Sequence, residues 1–133
     1  QGYKHDGTTR TPNTTWINSI NEYADWTTAN DPCAIEIGTG WRVPTITEWT
    51  NVDAAGPWTN WTHPFASLLK MHAAGRLDYS TGNVGERGFK GSYWSSTQYG
   101  IVDWGQMLNF SGSSCVTSQY QKAYAYPVRC VKD

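Results

Sequence analysis

Glycine recurs throughout the second half of this chain and divides its apolar residues into short runs. Between Met71 and Asp133 the apolar runs are short, and eight glycines separate them: Gly75, Gly82, Gly85, Gly88, Gly91, Gly100, Gly105 and Gly112. Glycine favours turns and weakens the interior of helices and strands, so this half is predicted to form hairpins joined by long loops.

Alternation within this half indicates where the strands lie. One predicted strand carries Trp104, Leu108 and Phe110 on one face and Met107 and Asn109 on the other. The final segment, residues 124–131, also alternates, and we expect it to close the sheet as a terminal strand.

The first half carries helix signals. Trp16, Ile20 and Tyr23 recur at helical spacing behind a capping Thr14, which predicts a first helix. Thr45 and Glu48 form a capping box, which predicts a second helix.

Residues 64–69 could add one helical turn with its proline at the first position, whereas residues 30–32 are interpreted as loop. The chain is therefore predicted to be one α+β domain spanning residues 1–133, with two short helices packed on a twisted antiparallel sheet and long loops.

Composition limits the classes of partner. Only 38% of residues are hydrophobic, yet there are 8 Trp and 8 Tyr, so large rings must supply much of the core. A formal charge of -1 without a basic block disfavours nucleic acid and anionic membranes. No apolar run approaches the roughly 18 residues of a membrane-spanning helix, so no direct membrane insertion is expected. The amino terminus has no signal-peptide hydrophobic region, so we expect any export signal to have been removed.

The sequence contains no recognisable motif for metal, cofactor or nucleophilic chemistry. The residues that most often bind zinc lack the spacing of a zinc site: Cys33, Cys115, Cys130, His5, His63 and His72. Neither a phosphate-binding glycine motif nor a Gly-x-Ser-x-Gly elbow occurs. We expect no cofactor, no metal and no catalytic residues. The odd number of cysteines allows either three free thiols, or one long-range disulfide and a spare thiol.

Three stretches, in this order and spacing, carry a family resemblance. They are Asp31-Pro32-Cys33 followed by residues 40–45 and Glu48-Trp49, then Gly91 to Thr97, then Val128 to Asp133. Together they resemble the major paralogous domain of Fibrobacter and Bacteroidetes proteins, a branch of the C-type-lectin-like fold. The resemblance spans roughly Tyr23 to Asp133.

The resemblance implies that Cys33 and Cys130 form a disulfide. An oxidising compartment would follow, namely the extracellular space, a cell surface or a phage virion. The alternative is that both are buried thiols of a cytosolic protein.

The motif residues themselves are interpreted as scaffold. Trp41, Trp49 and Trp94 are expected in the core, because such rings are more often buried than used as a ligand platform. Arg42 and Arg129 are expected to donate hydrogen bonds to loop carbonyls beneath these rings.

The segment 98–124 is rich in Tyr, Ser and Gly, a mixture that antibody loops also use. It is similar to the diversified region of the variable proteins of diversity-generating retroelements, in which replacement of template adenines changes Asn codons. That resemblance implies a protein or other macromolecular partner on a cell surface, and a ligand-binding face on which ten residues converge: Tyr99, Ile101, Val102, Asp103, Ser113, Ser114, Val116, Ser118, Tyr120 and Tyr124. Cys115 is also a residue that replacement of adenines in an Asn codon can produce, and it would then be an accessible spare thiol.

Other functions have weaker support. The Glu-Pro-Asn and Gln-Pro-Asp triplets of calcium-dependent sugar binding are missing. A structural surface or pilus-associated lipoprotein domain is one alternative. A distant relative of the formylglycine-generating oxidases is another, but Cys115 would then need Cys130 or Cys33 as its partner. No motif specifies an oligomeric state.

Overall fold

The structure is a computed structural model that describes residues 3–5, 10–12 and 22–133. Its helices are α1 (Pro32–Ile37), α2 (Ile46–Ala55) and α3 (Thr62–Ala66). Its strands are β1 (Tyr3–His5), β2 (Arg10–Pro12), β3 (Trp41–Arg42), β4 (Arg76–Leu77), β5 (Val84–Gly85), β6 (Gly91–Gln98), β7 (Trp104–Phe110), β8 (Cys115–Gln121) and β9 (Val131–Lys132). The predicted α+β class is confirmed.

The centre of the molecule is the antiparallel sheet β6-β7-β8. The described residues also form three two-stranded antiparallel pairs: β1 with β2, β3 with β9, and β4 with β5. A tight turn joins β7 to β8, in which the Ser111 N–H donates to the Ser114 carbonyl (2.8 Å). This short connection fixes the register that places Phe110 opposite Cys115.

Each face of the central sheet carries a cluster of buried residues. On one face α2 packs over a first cluster of buried residues: Trp49, Trp58, Met71, Tyr93, Leu108, Phe110 and Cys115. The other face carries a second cluster of buried residues: Trp94, Met107, Tyr124 and Tyr126. The predicted alternation along β7 is therefore correct for Leu108, Phe110 and Met107, and large rings dominate both clusters.

Helix α2 begins at the predicted capping box. The Thr45 hydroxyl accepts from the Glu48 N–H (3.2 Å), and the Glu48 carboxylate accepts from the Thr45 N–H (2.8 Å). The Trp49 indole N–H donates to the Trp94 carbonyl (3.3 Å), which ties this helix to β6. Trp49 and Trp94 are buried as expected, whereas Trp41 is only half-buried.

The interpretation of residues 30–32 as loop is wrong only for Pro32, where α1 begins, since Asn30 and Asp31 lie outside the helix. Asp31 is its N-cap, and its carboxylate accepts from the N–H groups of Cys33 (2.8 Å) and Ala34 (3.3 Å). The same carboxylate also accepts from the Val43 N–H (2.8 Å). A buried side chain thus starts a helix and anchors the segment that follows β3.

Two other boundaries also differ from expectation. Helix α3 begins at Thr62, so Pro64 is its third residue and not its first. In the predicted terminal strand over residues 124–131, only Val131 belongs to a strand, because β9 pairs with β3 and Ala125 makes a single bridge to Leu77. The segment nevertheless contacts the central sheet, because the Trp94 N–H of β6 donates to the Pro127 carbonyl (3.2 Å).

The helix predicted from Thr14 lies mostly outside the described residues. Its last two positions, Glu22 and Tyr23, are described and are not helical.

The Cys33–Cys130 disulfide is confirmed. The two Cα atoms are 5.6 Å apart across a sequence separation of 97 residues. The bond joins α1 to the segment just before β9, so it closes most of the domain. Among the described residues, no helix is long and apolar enough to cross a membrane.

The expected role of Arg42 was wrong. Its guanidinium binds the Glu48 carboxylate through two nitrogens (2.7 Å each) and Asp133 through Nε (2.7 Å). Carboxylates suit the planar guanidinium fork better than isolated carbonyls do, so this arginine links β3, α2 and the end of the described chain. Arg129 is exposed.

Candidate binding surface

A continuous series of aromatic rings crosses the second face of the sheet, and we call it the aromatic chain. Neighbouring ring centroids lie between 4.8 and 6.3 Å apart. In order of contact its members are Tyr99, Trp104, Tyr120, Tyr124, Tyr126 and Trp94, with Tyr79 branching from Tyr124. The Trp94 end of the aromatic chain lies in the buried second cluster, and the aromatic chain reaches the surface at Tyr120, which is 41% exposed.

The pairing of β7 with β8 explains how these rings meet. Gly105 lies opposite Tyr120 in the register. A Cβ atom at this glycine would lie 3.1 Å from the Trp94 ring, so the missing side chain lets that ring lie across β7. Rings from three strands and the following segment can therefore pack side by side.

Five of the predicted ligand residues surround one end of the sheet, and we call this group the sheet-end surface: Tyr99, Ile101, Val102, Asp103 and Tyr120. The first four lie in the connection between β6 and β7, and Tyr120 lies near the end of β8. The Asp103 carbonyl accepts from the Lys122 N–H (2.7 Å), which holds the connection against the end of β8. Ile101 is 50% exposed, a large exposure for an aliphatic side chain in a loop that this hydrogen bond holds in place.

The other predicted residues are spread along β8. Ser113 and Ser114 lie in the β7–β8 turn at the far end of this strand. From Ser114 to Tyr120 an extended strand covers roughly 20 Å, at about 3.3 Å per residue. Val116 is 48% exposed, and Ser118 is half-buried between the two ends. The ten residues thus form an elongated band rather than a compact patch.

Tyr124 departs from the expectation of an exposed face. It is only 8% exposed and contacts Tyr79, Tyr120 and Tyr126. The Arg76 guanidinium lies 4.4 Å from its ring centroid. A residue with these contacts supports the surface from below.

Burial also sets the chemistry of the ionisable groups at this site. It raises the pKa of Tyr126 to about 12, so this phenol stays neutral in the physiological range. Burial lowers the pKa of Lys122, whose ammonium donates to the Glu22 carbonyl (2.9 Å) and the Gln98 side chain. This lysine anchors the segment before α1 to the sheet.

The expectation that Cys115 is accessible was wrong. It is 7% exposed within the first cluster, and burial raises the pKa of its thiol. Nucleophilic and redox reactions of cysteine proceed through the thiolate, so this thiol is protected from them.

Sequence reasoning missed part of the site. Trp104 was expected simply to alternate with core residues, and Arg76, Tyr79 and Tyr126 were not connected to the ligand residues at all. These aromatic and cationic residues are visible in the sequence, but only tertiary packing, including the Leu77–Ala125 bridge, brings Arg76 and Tyr79 next to Tyr124. Within the described part of the chain no group of three or more His, Cys, Asp or Glu could hold a metal ion. Neither a protein-family model, nor a curated protein, nor a solved structure matches this chain.

Proposed function

We propose that this chain is a non-enzymatic binding domain with a C-type-lectin-like fold. It presents to a protein partner the sheet-end surface and the outer side of β8, which carries Val116, Ser118 and Tyr120. The observation that carries the proposal is the exposure of Ile101 in the β6–β7 connection and of Val116 and Tyr120 on β8, in a sheet that two buried clusters hold in place. Exposed aliphatic and tyrosine side chains on a rigid support are typical of protein-binding surfaces.

The aromatic chain makes these side chains suitable as anchors. The Tyr120 ring stacks on Trp104 at 6.2 Å and meets Tyr124 edge-on at 5.6 Å. A ring held in this way loses little conformational freedom on binding, which is how pre-organised anchors increase affinity. A partner would cover roughly 800 Å² of this domain, with the tyrosines near the centre.

The distribution of burial supports diversification of this surface. Apart from Tyr124, the ten predicted residues lie outside both buried clusters. Substitutions at such positions usually change stability by about 0.5 kcal/mol or less, so the surface can change while the fold persists. We therefore propose that the chain is a variable protein of the kind that diversity-generating retroelements produce.

The disulfide supports an extracytoplasmic location. In the chain-entropy model a bond that closes 97 residues removes about 4–5 kcal/mol of denatured-state entropy. Such a bond persists in an oxidising environment, so we propose the extracellular space, a cell surface or a phage virion.

The alternatives have less support. An oxidase of the formylglycine-generating type needs a reactive cysteine, but Cys115 is buried and Cys130 is bonded to Cys33. A purely structural surface or pilus domain has no use for exposed anchors such as Ile101 and Tyr120.

Selection from two matched libraries tests the proposal. The first library randomises Tyr99, Ile101, Val116, Ser118 and Tyr120, and the control randomises five other surface positions: Thr47, Asn51, Thr59, Ser80 and Asn83. Both are displayed and selected against one fixed target, such as hen egg lysozyme. We expect folded binders from the first library alone. Equal yields of binders, or general unfolding of the first library, would contradict the proposal.

The DNA beside the gene tests diversification separately. A near-identical template repeat next to a reverse transcriptase gene is the expected finding. Its absence would remove the retroelement from the proposal and leave an ordinary surface-protein module.

A further inference from the structure

A second surface lies away from the sheet end, in an open groove between α3 and the segment that follows β5. Its volume is about 810 Å³. Residues at α3 and within the segment 84–88 line it, and we call these two groups its walls; residues 73–75, Ala125 and Pro127 complete the lining. The side chains that give it chemical character are Trp61, Phe65, His72, Arg76, Val84 and Arg87.

The apolar walls of this groove are exposed and held in place. Trp61 is 40% exposed, Phe65 47% and Val84 67%. The Trp61 N–H donates to the Ser111 carbonyl (2.7 Å), and the Phe65 ring meets His72 edge-on at 5.3 Å. Exposed apolar groups on both sides of a preformed groove are a mark of binding sites.

The second wall carries excess positive charge. The Glu86 carboxylate lies 3.4 Å from Nε of Arg76 and 3.0 Å from Nζ of Lys90, so one negative charge pairs with two positive charges. Arg87 is exposed at the rim, and no ion pair to it occurs among the described residues. Glu86 has a left-handed backbone (φ 59°) and Gly88 likewise (φ 82°), so the chain turns sharply on each side of Arg87.

We propose that this groove binds an extended peptide segment in which an acidic side chain stands next to large apolar ones. The exposed rings and Val84 would hold the apolar side chains, and the Arg87 guanidinium would bind the carboxylate, whose two oxygens match its donors. Because the groove is open, it suits an extended peptide better than a small molecule that must be enclosed. The proposal goes beyond the sheet-end surface, because it concerns a separate surface and a second partner.

Fluorescence anisotropy of a labelled peptide tests this. The probe is Gly-Phe-Glu-Leu-Asp-Phe-Gly, and the matched peptide replaces both acidic residues with lysine. We expect the acidic peptide to bind and the lysine peptide to bind at least about tenfold more weakly, as loss of a charge-assisted contact predicts. Arg87→Glu and Val84→Ser should each weaken binding of the acidic peptide by a similar factor.

Two control variants and a check of folding assign the effect to the groove. Lys132→Glu makes the same charge change at an exposed residue that does not line the groove, and it should leave affinity unchanged. Tyr120→Ala changes the sheet-end surface and should also have no effect. Arg76 is left intact because its guanidinium supports the Tyr124 ring. Circular dichroism verifies that each variant is folded.

Three results would each overturn the proposal. Equal affinity for the acidic and lysine peptides, or unchanged affinity in folded Arg87→Glu, would show that charge does not select the ligand. Tighter binding of an oligogalacturonate, lost in Arg87→Glu, would assign the groove to acidic sugars instead of peptides.

Discussion

At the scale of single residues, Glu48 connects the strongest electrostatic contacts of the fold. Hydrogen bonds from Arg42 lower its pKa from 4.5 to about 2. A carboxylate with a lowered pKa in the folded state stabilises the protein at neutral pH, and that stability is lost as the pH falls from about 4.5 to about 2. Because the pair is partly exposed, solvent screening reduces its contribution to about 1 kcal/mol.

The first prediction follows from this linkage. Wild-type protein should lose about 1 kcal/mol more unfolding free energy than Glu48→Gln over that acid window, because only the wild type has this carboxylate to protonate. Urea unfolding at a series of pH values, followed by tryptophan fluorescence, measures the difference. Identical acid profiles would show that the Arg42 pair does not contribute to stability.

Cys115 gives a second prediction at this scale. Because its thiol is buried and its pKa is raised, it should react with Ellman's reagent at least about a hundredfold more slowly in the folded protein than in urea. The disulfide occupies the other two cysteines, so one thiol should appear on unfolding. Fast reaction of the folded protein would place Cys115 at the surface.

At the scale of elements, the start of α1 depends on one buried carboxylate. Asp31→Ala removes the acceptor of three backbone N–H groups and leaves that of Val43 without its partner. We expect a loss of about 2–3 kcal/mol, since an unsatisfied buried donor adds to the loss of a cap. Thr45→Ala at the cap of α2 is the matched control, with an expected loss of about 1 kcal/mol. Urea unfolding compares them, and equal losses would show that the Val43 contact adds nothing.

The elements also show what a sequence can reveal. The capping box at Thr45 is a local signal, and α2 begins where it predicts. Asp31 and Pro32 are an equally local signal for the start of a helix. The nearby glycines after α1 favour a loop, so the sequence did not predict this short helix. The final segment could not be predicted from its alternation, because Tyr124 and Tyr126 pack against the distant rings of Tyr79 and Trp94. Local signals fix where helices begin, whereas packing decides which alternating segments become strands.

The same distinction explains the candidate site. Composition indicated a tyrosine-rich region, and Tyr99 and Tyr120 do lie at one end of the sheet. Pairing of β7 with β8 separates Ser113 from them by the length of a strand, and brings Trp104 between their rings. Composition can therefore identify a binding region, but the register decides its shape.

At the scale of the whole molecule, stability and exposed chemistry are separated. The disulfide, the Arg42 contacts and the two buried clusters hold the fold, while the outer side of β8 and the β6–β7 connection contribute little to either cluster. Tyr124 lies at the boundary, because it is buried but touches the exposed Tyr120. This boundary can be tested by comparing substitutions on its two sides.

The triple replacement Ile101→Ser, Val116→Ser and Tyr120→Ser should lower the unfolding free energy by no more than about 1.5 kcal/mol, because surface substitutions contribute about 0.5 kcal/mol each. Tyr124→Ser alone should cost about 3 kcal/mol, because it removes a buried ring and its contacts with three others. Thermal and urea unfolding measure both. A binder selected against the wild-type sheet-end surface should no longer bind the triple variant, although that variant stays folded. If the triple variant were instead as destabilised as Tyr124→Ser, the outer side of β8 would belong to the core, and a surface that changes its partner could not be located there.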